Sequence, residues 1–157
     1  MKLILIIILI CLIMIIAIAV SQQYKERFDF YQNLKIFLSE FKLNVSFKKE
    51  KISQFLSKVK PKKSFDAFIF EYKNYLKNNQ FKVENIKILD DDEKDWIANL
   101  VRNLGGLNSD NEINQIELYL TETENRLKKA EVDKVKLCPM IIKLSLLFSL
   151  GVAIILI

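Results

Sequence analysis

Histidine is absent from this 157-residue chain, and glycine and proline number only three and two. Without histidine no nucleophile–histidine pair can be assembled. The commonest nitrogen ligand for transition metals is missing as well. Scarce glycine leaves neither a GxGxxG nor a GxxxxGK(S/T) phosphate loop. Of the two cysteines, Cys11 lies inside one apolar run and Cys138 at the edge of another. That pattern implies no disulfide framework, and with no second thiol nearby it implies no thiolate metal centre. What remains is rich in Lys, Glu, Leu and Ile and poor in breakers, which predicts an all-helical chain.

Long apolar runs stand at both ends. Leu3 to Val20 carries no charge, and Met140 to Ile157 is apolar apart from Lys143 and two serines. As helices, 18-residue spans reach about 27 Å at about 1.5 Å per residue, close to the roughly 30 Å hydrocarbon core of a bilayer. The expected organisation is a membrane helix over residues 1–20, a helical-bundle domain over 21–138 and a second membrane helix over 139–157. Basic flanks tend to stay in the cytoplasm. Lys25 and Arg27 follow the first span, and Lys128, Lys129, Lys134 and Lys136 precede the second. This predicts a cytoplasmic domain with both termini outside. Lys143, one turn inside the second span, can snorkel to the same interface. The rival is a cleaved signal peptide, since Ala17-Ile18-Ala19 has the small-x-small form. The long apolar run and the basic residues after it argue against that.

All 19 acidic residues lie in the middle segment. Ser21 to Leu89 holds 15 basic and 7 acidic residues, whereas Asp90 to Cys138 holds 7 basic and 12 acidic. The net charge of the middle is too small to argue for nucleic acid. The asymmetry has two readings. Either antiparallel helices pair across it, or the basic half docks an acidic partner or anionic headgroups. Lys48, Lys49, Lys51, Lys60, Lys62 and Lys63 form the candidate basic docking face.

Apolar spacing sets the elements. Tyr24, Phe28, Tyr31, Leu34, Leu38 and Phe41, widened by Phe30 and Phe37, form one helical stripe. No breaker separates it from the first span, so span and stripe should be one helix. Asn44 or Ser46 is a candidate cap for a second helix carrying Ile52, Phe55, Leu56 and Val59 and ended by Pro61. A third is expected to begin near Ser64, a fair cap, with Asp66 in its first turn and the stripe Phe65, Phe68, Ile69, Tyr72, Leu76, closed at Asn78-Asn79. Phe81 to Leu89 reads as an extended linker or a helical turn. Asp90 to Glu93 places acid at the start of a fourth helix with the face Trp96, Ile97, Leu100, Val101, Leu104. Gly105-Gly106 should stop it. Ser109-Asp110-Asn111-Glu112 is a capping box before a long last helix. That helix carries Ile113, Ile116, Leu120, Thr123, Leu127, Ala130, Lys134 and Leu137, with Pro139 a kink point. The fold class is therefore all-α, a bundle of about five helices whose first and last are extended by transmembrane spans and pack antiparallel.

No catalytic set emerges. Asp90 to Asp95 lacks the glycine and glutamate of a calcium loop, and helix-start charge explains it. Trp96 and the phenylalanine stripes have core spacing. The chain reads as a non-enzymatic scaffold or coupling part with no cofactor.

With the motifs in order, the chain resembles the stage III sporulation protein AB family of endospore-forming bacteria over essentially its whole length. Tyr24-x-x-Arg27 resembles that family's post-membrane Y-x-x-R. Phe65-x-x-Phe68 resembles its aromatic pair. Leu104-Gly105, Asp110 and Gln115 resemble its Leu-Gly…Asp…Gln stretch, and Leu150 to Ile157 its Gly-plus-aliphatic ending. Two features depart from the family: the first span has no glycine, and Lys49-Glu50-Lys51-Ile52 stands where a proline-leucine pair is usual. The resemblance implies a platform component of the mother-cell-to-forespore channel, similar to the cytoplasmic domain of the type II secretion platform (F-component) protein. It implies residence in the mother-cell membrane around the forespore. The implied partners are the secretion-type ATPase, stage III sporulation protein AA, other channel subunits, and further copies of the chain. Tyr24, Arg27, Gly105, Asp110 and Gln115 are then structural or partner-contact candidates. Gly105 can be a helix stop with Asp110 and Gln115 ordering the next helix, or this corner can face the ATPase. The alternative is an adaptor of another membrane complex with the same topology.

Overall fold

The structure is a computed structural model that describes residues 2–48, 51–60, 64–105 and 109–156. Among them are five α-helices and no strand: α1 (Lys2–Leu43), α2 (Ile52–Lys58), α3 (Asp66–Asn78), α4 (Asp91–Asn103) and α5 (Ser109–Leu156). As the unbroken sequence predicts, α1 joins the apolar run and the aromatic stripe in one helix, and α5 likewise continues through Pro139. The all-α expectation and its two long terminal helices therefore hold. The chain forms two compact units, one of residues 1–28 and 129–157 and one of residues 29–128.

In the first unit the two helices run antiparallel. The Cys138 thiol donates to the Ser21 carbonyl at 3.4 Å, and the Ser145 hydroxyl meets Met14 Sδ at 3.6 Å. Small residues line this seam: Ala17, Ser21, Ala130, Cys138 and Ser149 are all buried. Close backbone approach is how helices pack where no water drives them together. The Ser145 and Ser149 hydroxyls bond back to carbonyls of their own helix, Ile142 and Ser145, so neither is left unpaired in an apolar setting. The outward faces are apolar: Ile7, Leu12, Ile15, Ile18, Leu147, Phe148, Ile154 and Ile155 are all more than half exposed. The apolar windows have mean hydropathies of 2.7 and 2.2, with only 17% and 11% of each buried. A soluble protein's core helix would be covered; these two helices are candidate membrane spans.

The second unit has an aromatic core. Phe37 of α1 lies 5.5–6.3 Å, centroid to centroid, from Phe41, Phe55, Phe65, Phe68 and Tyr72. Phe65 and Phe68 are 4.8 Å apart and both buried. Each such pair contributes about 0.5–1.5 kcal/mol beyond its area. Ile97, Leu100 and Val101 of α4 and Ile116 and Thr123 of α5 complete the core.

Four expectations need correction. Asn44 and Ser46 cap nothing: α1 runs on into a π-helical turn, Asn44–Lys48, and the cap position of α2 is Lys51, with no side-chain bond. Val59 is the residue after α2, not part of it. Helix α3 starts at Asp66 with Phe65 at its cap position, because burying Phe65 in the aromatic cluster sets the entry of the chain. Leu76 is 38% exposed, off the buried stripe. Pro61 lies outside the described residues.

Other local signals hold. Asn79, in the left-handed region at φ 54°, closes α3 and donates to the Tyr75 carbonyl. The linker after it is a helical turn, Val83–Asn85. Asp90 and Glu93 form a reciprocal capping box at α4, satisfying two backbone donors at once.

Candidate functional site

Three carboxylates in the second unit, Glu71, Glu93 and Glu112, are each only 2–3% exposed. Each is bound to backbone N–H at a junction between elements. Glu71 accepts from Lys82 N and, at 2.6 Å, from Asn85 Nδ2, which ties the linker to α3. Glu93 accepts from Asp90 N. Glu112 accepts from Gly105 N at 2.6 Å, which joins the end of α4 to the first turn of α5. Charge-assisted bonds of this kind compensate the burial of a carboxylate.

The Glu112 bond shapes the corner where the family-like residues lie. Gly105 has φ 92°, a conformation that L side chains rarely adopt. It is also crowded: a Cβ there would lie 2.9 Å from Ile52 Cγ2. The tip of α2 therefore rests on the glycine backbone. Beneath it, the Tyr72 hydroxyl donates to the Leu104 carbonyl at 3.4 Å. Burial pushes the Tyr72 phenol far above its ordinary range, and the Glu112 charge pushes the same way. Helix α5 begins at Ser109, and Glu112 in its first turn ties back to Gly105. Gly106 lies outside the described residues.

Asp110 is exposed and Gln115 half-buried, both in the first two turns of α5. Lys51 is exposed and adjoins Ile52, so one member of the basic face and the Gly105 corner are contiguous. Lys60 is exposed just beyond α2. Lys48 ends the π-helical turn; Lys49, Lys62 and Lys63 lie outside the described residues. Tyr24 and Arg27 belong to the first unit, where both are half-buried on α1.

Two features lay beyond sequence reasoning. A cavity of about 420 Å³ opens beside the π-helical turn, lined by Glu40, Asn44, Phe47, Phe55 and Lys58 among others. The Asn44 amide is 97% buried against it, with neither its oxygen nor its nitrogen hydrogen-bonded, while Phe47 is 80% exposed. The α-helical period breaks at residues 44–48, at the edge of this cavity. The second feature is the setting of Tyr31. Burial pushes its phenol far above the ordinary range, the Glu93 carboxylate beside it acts in the same direction, and Arg126 acts against it. Arg126 also lies 4.6 Å from the Trp96 ring centroid and 3.0 Å from Glu122. Trp96 is thus partly covered by Arg126 and Tyr119 rather than presented as a stacking platform.

Helix α5 is held to α1 by exposed ion pairs, Lys35–Glu124 at 2.9 Å and Lys42–Glu117 at 2.6 Å. These join the basic and acidic halves of the sequence. Part of the charge asymmetry is therefore internal pairing, while Lys51 and Lys60 remain at the surface. No group of three or more metal-ligating side chains gathers among the described residues.

Comparison with known proteins agrees with this architecture. No curated protein and no solved structure matches the chain. The family model described as stage III sporulation protein AB matches residues 2–157. A match over that whole span, on a helical chain with two candidate membrane spans, shows that this chain belongs to the stage III sporulation protein AB family.

Proposed function

We propose that the chain is a non-enzymatic platform component of a membrane channel used in sporulation. Its helical domain, residues 21–138, lies in the mother-cell cytoplasm and docks a secretion-type ATPase, and its spans, residues 1–20 and 139–157, anchor it in the membrane around the forespore. Family membership across residues 2–157 carries this reading. Two apolar helices with uncovered outer faces support the anchoring. The absence of histidine supports a role without catalysis.

The docking surface follows from the charge that is left over. Lys51 and Lys60 flank α2, and Lys51 adjoins the Ile52–Gly105 corner with Asp110 nearby in sequence on the next helix. An acidic face of the ATPase would meet this edge, with further channel subunits and other copies of the chain engaging other faces.

The test is co-purification of the full-length chain with the ATPase, stage III sporulation protein AA, from sporulating cells. Lys51→Glu with Lys60→Glu should weaken capture at least tenfold while leaving the unfolding free energy within about 0.5 kcal/mol of wild type, the range for surface changes. Asp110→Ala tests the corner separately. Undiminished capture by the charge-reversed chain would exclude the basic face. Uniform fluorescence of a tagged chain in all membranes during growth would exclude the channel role itself.

A further inference from the structure

Lys129, Lys136 and Lys143 stand at seven-residue intervals on α5. Seven residues bring a helix back to nearly the same angle, with a drift of about 20° and a rise of about 10.5 Å. The three lysines therefore form one row. All three are exposed, and none has an ion-pair or hydrogen-bond partner among the described residues. Their setting differs from that of Lys35, Lys42 and Lys94, each of which holds a carboxylate. Lys134, on the same stretch, lies 3.9 Å over the Phe28 ring.

The row descends into an apolar surface. Val132, Met140, Leu144 and Leu147 around it are 47–64% exposed. Glu131 and Asp133 lie near Lys129, but from Lys134 to the end of the sequence there are three lysines and no acid. An ammonium at the depth of Lys143 needs an anionic partner or a path to water. Snorkelling gives it a path, but a second ammonium on the same face then lies at the end of that path. Pro139 sits between the two, three residues after Lys136 and four before Lys143. Its ring excludes the bond that the Val135 carbonyl would otherwise receive. Two cations in one row, with a freed acceptor between them in sequence, match a phosphodiester whose substituent carries a hydroxyl.

We propose that Lys136 and Lys143 clamp the headgroup of an anionic phospholipid of the phosphoglycerol class, with Lys129 drawing the headgroup in from above. The proposal rests on α5 being a membrane span. A peptide partner fits less well, because exposed apolar residues on both sides of the row would contact acyl chains.

The experiment is native mass spectrometry of the full-length chain released from bilayers of phosphatidylcholine and phosphatidylglycerol in equal amounts. The wild-type chain should retain phosphatidylglycerol several-fold over phosphatidylcholine. Lys136→Gln and Lys143→Gln should each reduce that preference, and the double variant should abolish it. Lys143→Arg should keep it, as should Lys134→Gln. An unchanged preference in the double variant, or none in the wild type, overturns the lipid site. Alkaline extraction of the same vesicles separates the two premises. A chain that stays in the bilayer without a preference overturns the lipid site alone, whereas a chain that is released overturns the span and the site together.

Discussion

Replacing Gly105 by alanine probes the corner where α2, α4 and α5 meet. Two costs arise. A non-glycine residue at φ 92° is strained by about 1–3 kcal/mol. The added Cβ would also lie 2.9 Å from Ile52 Cγ2 and 3.3 Å from Ile52 Cβ and Cδ1. Ile52 is 8% exposed and cannot swing into solvent without losing its burial, so displacing it costs about 1–3 kcal/mol more, as overpacking does. The sum is about 2–6 kcal/mol. The Ile52→Ala background removes the clashing methyls, so there Gly105→Ala should cost only the strain of about 1–3 kcal/mol. The two substitutions should thus be coupled by more than about 1 kcal/mol, as neighbours in contact are. The assay is denaturant unfolding of the full-length chain followed by fluorescence of Trp96, the sequence's one tryptophan. It lies in the second unit against Tyr119 and Arg126. A cost below about 0.5 kcal/mol, or equal costs in both backgrounds, would refute the reasoning.

Phe37→Ala, at the centre of the aromatic cluster, should cost about 3–5 kcal/mol in the same assay; a loss under about 1 kcal/mol would mean the rings are not packed. Glu71→Ala leaves Lys82 N and Asn85 Nδ2 without their acceptor and should cost about 1–3 kcal/mol, with faster hydrogen exchange at the Lys82 amide. The Lys35 ammonium bonded to Glu124 holds that carboxyl below its ordinary range. Because the folded value is depressed, the pair's contribution is present above the unfolded carboxylate value and is lost as pH falls through the folded one. Carboxyl NMR should show Glu124 titrating low, and Lys35→Gln should move it back up; no movement would exclude the pair.

How much of this was legible in the sequence depends on range. Both apolar runs, the acid start of α4 and the left-handed closure at Asn79 are local effects, and each was readable from adjacent residues. The start of α3 was not, because tertiary burial of Phe65 outranks the capping preference of Ser64. The π-helical turn at Asn44–Lys48 was hidden for the same reason: Asn44 has the composition of a cap but is carried into the interior. The bond from Gly105 to Glu112 carries no sequence signal beyond the capping pattern of Ser109 to Glu112. A carboxylate's partner three or seven residues away looks the same in sequence. The Gly105 corner was marked by resemblance, and Ile52, the residue that makes glycine necessary there, is 53 positions away and carried no signal.

The central claim is a domain in the cytoplasm held by two spans. It is tested most directly by labelling single cysteines with a membrane-impermeant maleimide in intact growing cells made to express the chain, where no engulfed forespore shields the outer face of the membrane. Cys11 and Cys138 are first replaced by alanine, and Lys2→Cys or Lys51→Cys is then introduced. The account expects Cys at position 2 to react from outside and Cys at position 51 to react only after the membrane is opened. Reaction at position 51 in intact cells would contradict it, and would place the helical domain on the far side of the membrane from any ATPase.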